Sequence, residues 1–221
     1  MKKEKIVKVC ITGVFCALAF IMTAVLRFKV MHLSFDLKDT IIAIISLMYG
    51  PLYGIVSVGI VTLLELSFSD TGIYGLIMNF LSSATFTLLL GVVYKYKRTF
   101  LGAIMGVSLS VVGVCIVMML ANIAITPLYI PTVDTQAVIA MIPTLLLPFN
   151  FCKAVINAAA TVAIYKPVRG VLKKAKVVSS KESNVKTNPY MSVVVFVVAA
   201  LIISATLVVL LKVMGADISF L

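Results

Sequence analysis

Long apolar runs, separated by short charged or turn-forming breaks, set the pattern of this chain. Six runs approach or exceed the roughly 20 residues of helix that cross a hydrocarbon core of about 30 Å. They lie at residues 6–26, 52–68, 73–94, 100–126, 147–164 and 190–211. A seventh, TIIAIISLMY at 40–49, makes a helix of only about 15 Å. As a span it must borrow residues 33–37 or thin the bilayer locally. It is counted as a span because the charge topology requires it, which gives an all-α polytopic membrane protein with seven helices.

The breaks carry their own signals. RFKVMHLSFDLKDT, between the first and second spans, is too long for a tight turn and mixes polar with aromatic residues, as functional loops do. The join Tyr49-Gly50-Pro51 is uncharged. It reads either as a plain Gly-Pro turn or as an end covered by another protein. Residues 168–188, VRGVLKKAKVVSSKESNVKTN, are basic and poor in apolar side chains, which marks a linker. The run after it is β-branched, with Ser192, Ser204 and Thr206 as its polar positions, and reads as an appended anchor. The domain reading is therefore a membrane domain at 1–172, a linker at 173–189, and an additional helix with a short outer tail at 190–221. No internal repeat or matched pair of interrupted spans is present.

Composition agrees: 62% of the residues are hydrophobic, 12% are charged, and the mean hydropathy is +1.18. That leaves too little polar surface for a water-soluble core. The net charge of +11 raises the question of nucleic acid, but its placement answers it. Lys2, Lys3, Lys5 and Lys8 precede the first span, Lys95, Lys97 and Arg98 follow the fourth, and Lys166, Arg169, Lys173, Lys174, Lys176, Lys181 and Lys186 follow the sixth. With the short span counted, all lie on one side, and the positive-inside rule makes that side the cytoplasm. Asp36, Asp39, Asp70, Asp134 and Asp217 fall at outer ends, with Arg27, Lys29, Lys38 and Lys212 as the basic exceptions. The expectation is a multi-pass plasma-membrane protein with its amino terminus in the cytoplasm, its carboxyl terminus outside, and no nucleic-acid partner. The first run is too long for a signal peptide and lacks a clear small-residue cleavage site. Cys10, Cys16, Cys115 and Cys152 lie inside spans without CxxC spacing, so neither disulfides nor a zinc site is signalled.

Polar groups inside spans are the candidate chemistry, since each ionisable one costs about 2.5–3.5 kcal/mol on insertion scales. Glu65, Asn79, Asn122 and Lys153 belong to four different spans, each four to six residues from an outer end, hence roughly 6–9 Å deep. In PFNFCKAVIN, Asn150 and Asn157 flank Lys153 at i−3 and i+4, on one helical face. Two readings stand. Either the four spans converge on an outward-facing small-molecule pocket, or the amides glue helices while Lys153 pairs with Glu65 or snorkels outward. His32 is the single histidine, lies in the first loop, and leaves no intramembrane base. No Walker motif is present, so transport by this chain needs a partner or a gradient for energy, and no enzyme activity is expected. Gly13 and Ala17, four apart in the first span, permit close approach by another helix, of this chain or another.

LSFDLKDTIIAIISLMYGPLYGIVSVGIV, GLIMNFLSSATFTLLLGVVYKYKRTFLGAIMG, LANIAITPLYI and LLPFNFCKAVINAAATVAIYKPV together resemble the riboflavin-specific S components of energy-coupling factor (ECF) vitamin transporters. The resemblance runs from the first span to about Leu172. It is most specific at Asp36 and Asp39, at Asn122 with its N-x-x-x-x-P-L-Y context, and at the N-x-x-K of Asn150 and Lys153. It implies a six-helix vitamin-binding subunit that docks on a transmembrane coupling subunit and two cytoplasmic ATPases. It also implies that Asn122, Asn150, Lys153 and, less directly, Asn79 hydrogen-bond the isoalloxazine ring; against a neutral ligand the lysine then needs Glu65, an aspartate or water to balance its charge, and Glu65 and Asp36 are counted with the substrate-binding residues. Gly13 and Ala17 match the small-residue face that meets the coupling subunit, with Gly in place of the usual first Ala. The implied ligand is riboflavin or FMN, with no catalytic cofactor, and residues 28–37 are placed to close over it. The seventh helix departs from the six-helix pattern. An S component for pantothenate, folate or thiamin, or a membrane assembly protein without a ligand, are the competing readings.

Overall fold

The computed structural model describes residues 2–30, 33–69, 71–130, 132–174, 189–214 and 219–220. Helix α1 (Lys2–Leu26) leads into a hairpin, β1 (Phe28–Val30) and β2 (Leu33–Phe35). Helices α2 (Lys38–Tyr49) and α3 (Pro51–Glu65) follow, the latter extended by a 3-10 turn at Leu66–Phe68. Next come α4 (Gly72–Tyr96), α5 (Phe100–Tyr129), the short α6 (Thr135–Met141), a π-helical turn (Ile142–Leu146), α7 (Leu147–Lys174), α8 (Pro189–Met214) and β3 (Ser219–Phe220). This is an all-helical membrane bundle with one small sheet at an end. Among the described residues, Lys5–Leu26, Gly72–Tyr96, Phe100–Tyr129 and Thr135–Tyr165 are long and apolar enough to cross a membrane. Helices α2 and α3 are shorter, at 12 and 15 residues.

The α2–α3 join follows from two residues. Gly50 sits at φ 99°, where a Cβ is strained, and Pro51 presets the first turn of α3 without needing an amide donor. Beyond it, a Cβ on Gly54 or Gly91 would run into Ser46. The three helices α2, α3 and α4 therefore approach backbone to backbone, and Ser46 Oγ donates to Thr87 O at 3.1 Å.

The sixth expected span starts earlier than the sequence suggests. Asp134 caps α6 by accepting from Ala137 N at 2.7 Å, and the helix then runs on through the π turn into α7. Pro143 and Pro148 have no amide hydrogen, so an ordinary ladder breaks here and a widened turn carries the chain across. The span counted from residue 147 is therefore the later part of one continuous helix, with a bulge at its π turn.

Three packed clusters position the site. Phe86, Leu90, Val107, Val111 and Ala154 join α4, α5 and α7. Cys16, Ala19, Ile42, Val58 and Val61 join α1, α2 and α3. Leu33 and Phe35 of β2 lie on Val138, Leu146, Phe149, Cys152 and Ile156, which seats the hairpin on α6 and α7. Large apolar side chains such as Val14, Leu52, Leu101 and Leu120 face outward, as hydrocarbon surroundings allow.

The connection between the first two spans is thus a hairpin, not an irregular loop. Its sheet has the order β2-β1-β3, with Phe28 opposite Phe35, Val30 opposite Leu33, and Lys29 opposite Ser219. Helix α8 packs along α7, and its Ile203 reaches the cluster beneath β2. Residues 175–188 of the expected linker lie outside the described residues, as do His32, Asp70 and Asp217.

Candidate functional site

Beneath the hairpin is a cavity of about 50 Å³ bounded by β2, α4, α5 and α7. Its polar lining includes Ser34, Asn79, Ser82, Asn150 and Lys153, with the hydroxyl-bearing Thr71 and Tyr129, and Leu33, Met78, Met118 and Phe149 supply apolar walls.

Helix α7 brings three polar side chains to this end. Asn150 turns its amide nitrogen back to Leu146 O at 2.8 Å. Lys153 Nζ donates to Ser34 O and to Asp36 Oδ2, each at 3.0 Å. One turn on, Asn157 Nδ2 donates to Asp36 O at 3.1 Å, and its Oδ1 accepts from Thr40 N at 3.0 Å and Thr40 Oγ1 at 2.9 Å. A single helical face therefore holds both the hairpin and the start of α2. Arg27 adds a tie from the other side, donating from Nη2 to Ser34 Oγ at 2.9 Å. The lysine and aspartate side chains are only 8% and 1% exposed, so each charge depends on the other for solvation.

A second cluster lies behind the cavity. Lys38 Nζ meets Glu65 Oε2 at 2.5 Å, with side chains 0% and 4% exposed. The same Oε2 accepts from Asn79 Nδ2 at 3.4 Å, and Oε1 accepts from Thr23 Oγ1 at 3.1 Å. Asp39 accepts from Ser83 Oγ at 2.5 Å. Glu65 thus joins α1, α2, α3 and α4 at one point.

The residues singled out in the sequence separate accordingly. Asn79, Asn150 and Lys153 line one cavity, Asp36 is the partner of Lys153, and Glu65 stands behind Asn79. The buried counter-charge of Lys153 is Asp36; Glu65 belongs to Lys38. Asn122 is fully buried but lies outside the lining, giving its amide hydrogen to Met118 O at 2.7 Å and accepting from Thr126 Oγ1 at 3.1 Å. Met118, one turn before it, does line the cavity. Gly13 and Ala17 are exposed on α1, and open space surrounds Gly13. Among the described residues, none fills the space beside Gly13.

Sequence reasoning missed Lys38 as a site residue, counting it among basic exceptions at outer ends, and missed the packing roles of Thr40, Ser83 and Ser34. The available signal was the density of DLKDT: three charges in four residues at the mouth of an apolar run. Chemically, the cavity offers carboxamides, which donate and accept, and an ammonium with two of its three protons already placed. A small ligand with both donor and acceptor edges suits it.

Comparison with known proteins gives the same direction. The family model for the substrate-specific component of ECF transporters matches residues 7–165. The chain is 28% identical over 167 residues to the riboflavin transporter RibU of Staphylococcus aureus (strain TCH60), covering 72% of this chain and 88% of that protein. It also superposes, with a TM-score of 0.64 and 25% identity, on a solved structure described as the S component of a bacterial ECF transporter, over 78% of this chain and 98% of that one. Both similarities leave part of this chain uncovered.

Proposed function

The chain belongs to the family of ECF-transporter substrate-specific components, membrane transport proteins and not enzymes, and from that premise we propose that it captures riboflavin in the cavity beneath the hairpin. The observation that carries this reading is the meeting of Asn79, Asn150 and Lys153, from α4 and α7, on one partly apolar cavity. The pyrimidine edge of a flavin has carbonyl acceptors flanking an N–H donor. Carboxamides complement such an edge in either direction, and Lys153 supplies a further donor. Met78, Met118, Phe149 and Leu33 suit the dimethylbenzene end.

At about 50 Å³ the free space is well below the roughly 300–1,000 Å³ of pockets for such ligands. Binding therefore goes with outward movement of β1 and β2, while Lys153 offers the ligand the proton that neither Ser34 nor Asp36 uses. Asp36 stays as the counter-charge. Asn122, one turn past Met118, joins the contacts as the cavity widens toward α5.

The amino terminus lies in the cytoplasm in this reading, and the exposed Gly13 and Ala17 form the face for a transmembrane coupling subunit. The chain has no nucleotide-binding motif, so its energy comes from a partner or a gradient; the family resemblance makes that partner two cytoplasmic ATPases.

The test is direct. Protein purified in detergent is expected to carry flavin absorbance and fluorescence, read without tryptophan emission since the chain has none. A colourless preparation that binds no added riboflavin, or that binds pantothenate, folate or thiamin in its place, rejects the proposal.

A further inference from the structure

Depth alone makes Glu65 a candidate ligand contact, but the structure puts it one residue away from the cavity, behind Asn79. Its carboxylate collects donors from three helices: Thr23 of α1 on Oε1, and Lys38 of α2 with Asn79 of α4 on Oε2. A carboxylate paired with an ammonium can only accept. Asn79 must therefore turn its NH2 toward Glu65. The reversed amide would set its carbonyl oxygen against a carboxylate oxygen with no proton between them. The Asn79 bond, at 3.4 Å, is long, but this exclusion holds at that distance as well.

With one N–H given to Glu65, the amide of Asn79 is fixed in the orientation that leaves Oδ1 to accept in the cavity it lines. Asn150 is oriented by another route, since one N–H of its Nδ2 goes to Leu146 O at 2.8 Å. Lys153 contributes the opposite polarity with its remaining proton.

We propose that Glu65 is a specificity-determining positioning residue: it locks the amide of Asn79 as an acceptor, so that the cavity selects a ligand presenting an N–H or O–H donor at that point. This rests on the vitamin-binding reading and deepens it. Lys38 and Thr23 are parts of the lock, because they hold the carboxylate that aims the amide. A ligand with a carbonyl at that position meets oxygen against oxygen and is refused.

The experiment is a double-mutant cycle on the full chain in detergent, read by quenching of riboflavin fluorescence. Glu65→Gln is nearly isosteric but can donate to Asn79, which frees its amide to flip. It is expected to weaken riboflavin about tenfold or more in the wild-type background. In an Asn79→Leu background, where no amide remains to aim, the same substitution is expected to cost less than about twofold. If Glu65→Gln alone fails to fold because Lys38 is left as a lone buried cation, Glu65→Gln with Lys38→Met carries the same comparison. An equal penalty in both backgrounds overturns the proposal and makes Glu65 merely structural. A wild-type chain that binds no flavin overturns the vitamin reading, and the proposal falls with it.

Discussion

Lys153 Nζ on α7 lies 3.0 Å from Asp36 Oδ2, a partner 117 residues earlier in the chain, and the same ammonium holds the carbonyl of Ser34 in the hairpin. One side chain therefore closes the cavity, neutralises a buried carboxylate and fastens the cover. These roles separate under mutation. Lys153→Met keeps the stem but strands Asp36, and losing one partner of a buried pair costs about 3–5 kcal/mol. Adding Asp36→Leu is expected to restore most of the melting temperature in detergent without restoring riboflavin binding. Recovery of both would show that the lysine is only structural.

The Lys38 and Glu65 pair predicts a contrast in cost. Lys38→Ala strands a carboxylate that is 4% exposed, so a loss of about 3–5 kcal/mol is expected. Lys95 is exposed at the far end of α4, and Lys95→Ala should fall within about 0.5 kcal/mol of wild type. Thermal melts of the two variants side by side measure the difference.

Asn157 ties α7 to both the backbone and the hydroxyl of Thr40 and to the carbonyl of Asp36. Asn157→Leu leaves buried polar groups without partners, at about 1–3 kcal/mol each. Faster hydrogen exchange at the Thr40 amide is expected, with the far end of α2 less affected. Unchanged protection at Thr40 would contradict this account of how α2 begins.

On α1, Ala17→Leu adds bulk to an exposed face. Stability and detergent binding of riboflavin should stay within about 0.5 kcal/mol of wild type. Uptake by whole cells should fall sharply, because close helix approach is lost. Normal uptake would move the coupling surface elsewhere.

The sequence made the bundle legible for a plain physical reason: hydrocarbon tolerates few polar groups, so long apolar runs and intramembrane asparagines are loud signals. Asn79, Asn150 and Lys153 were found that way. Lys38 was not, because a lysine at the edge of a span usually reaches water, and only packing shows that this one cannot. The face of Asn122 was equally hidden, since depth gives height along a helix and not rotation about it. Nor does a 14-residue connection announce that it folds into a hairpin and lends its own Asp36 to a lysine on α7. The start of the sixth span was hidden too, because Asp134 caps a helix well before the apolar run at residue 147.

The short pair α2 and α3 has a bearing on how the protein is made. Alone, α2 is too short to be a stable span and carries Lys38 into it, while α3 ends on Glu65. Together, bent at Gly50 and Pro51, they bring opposite charges to the same end and cancel them. Released into lipid singly, either helix would carry an unpaired charge; released together as one hairpin, the two carry Lys38 and Glu65 already matched.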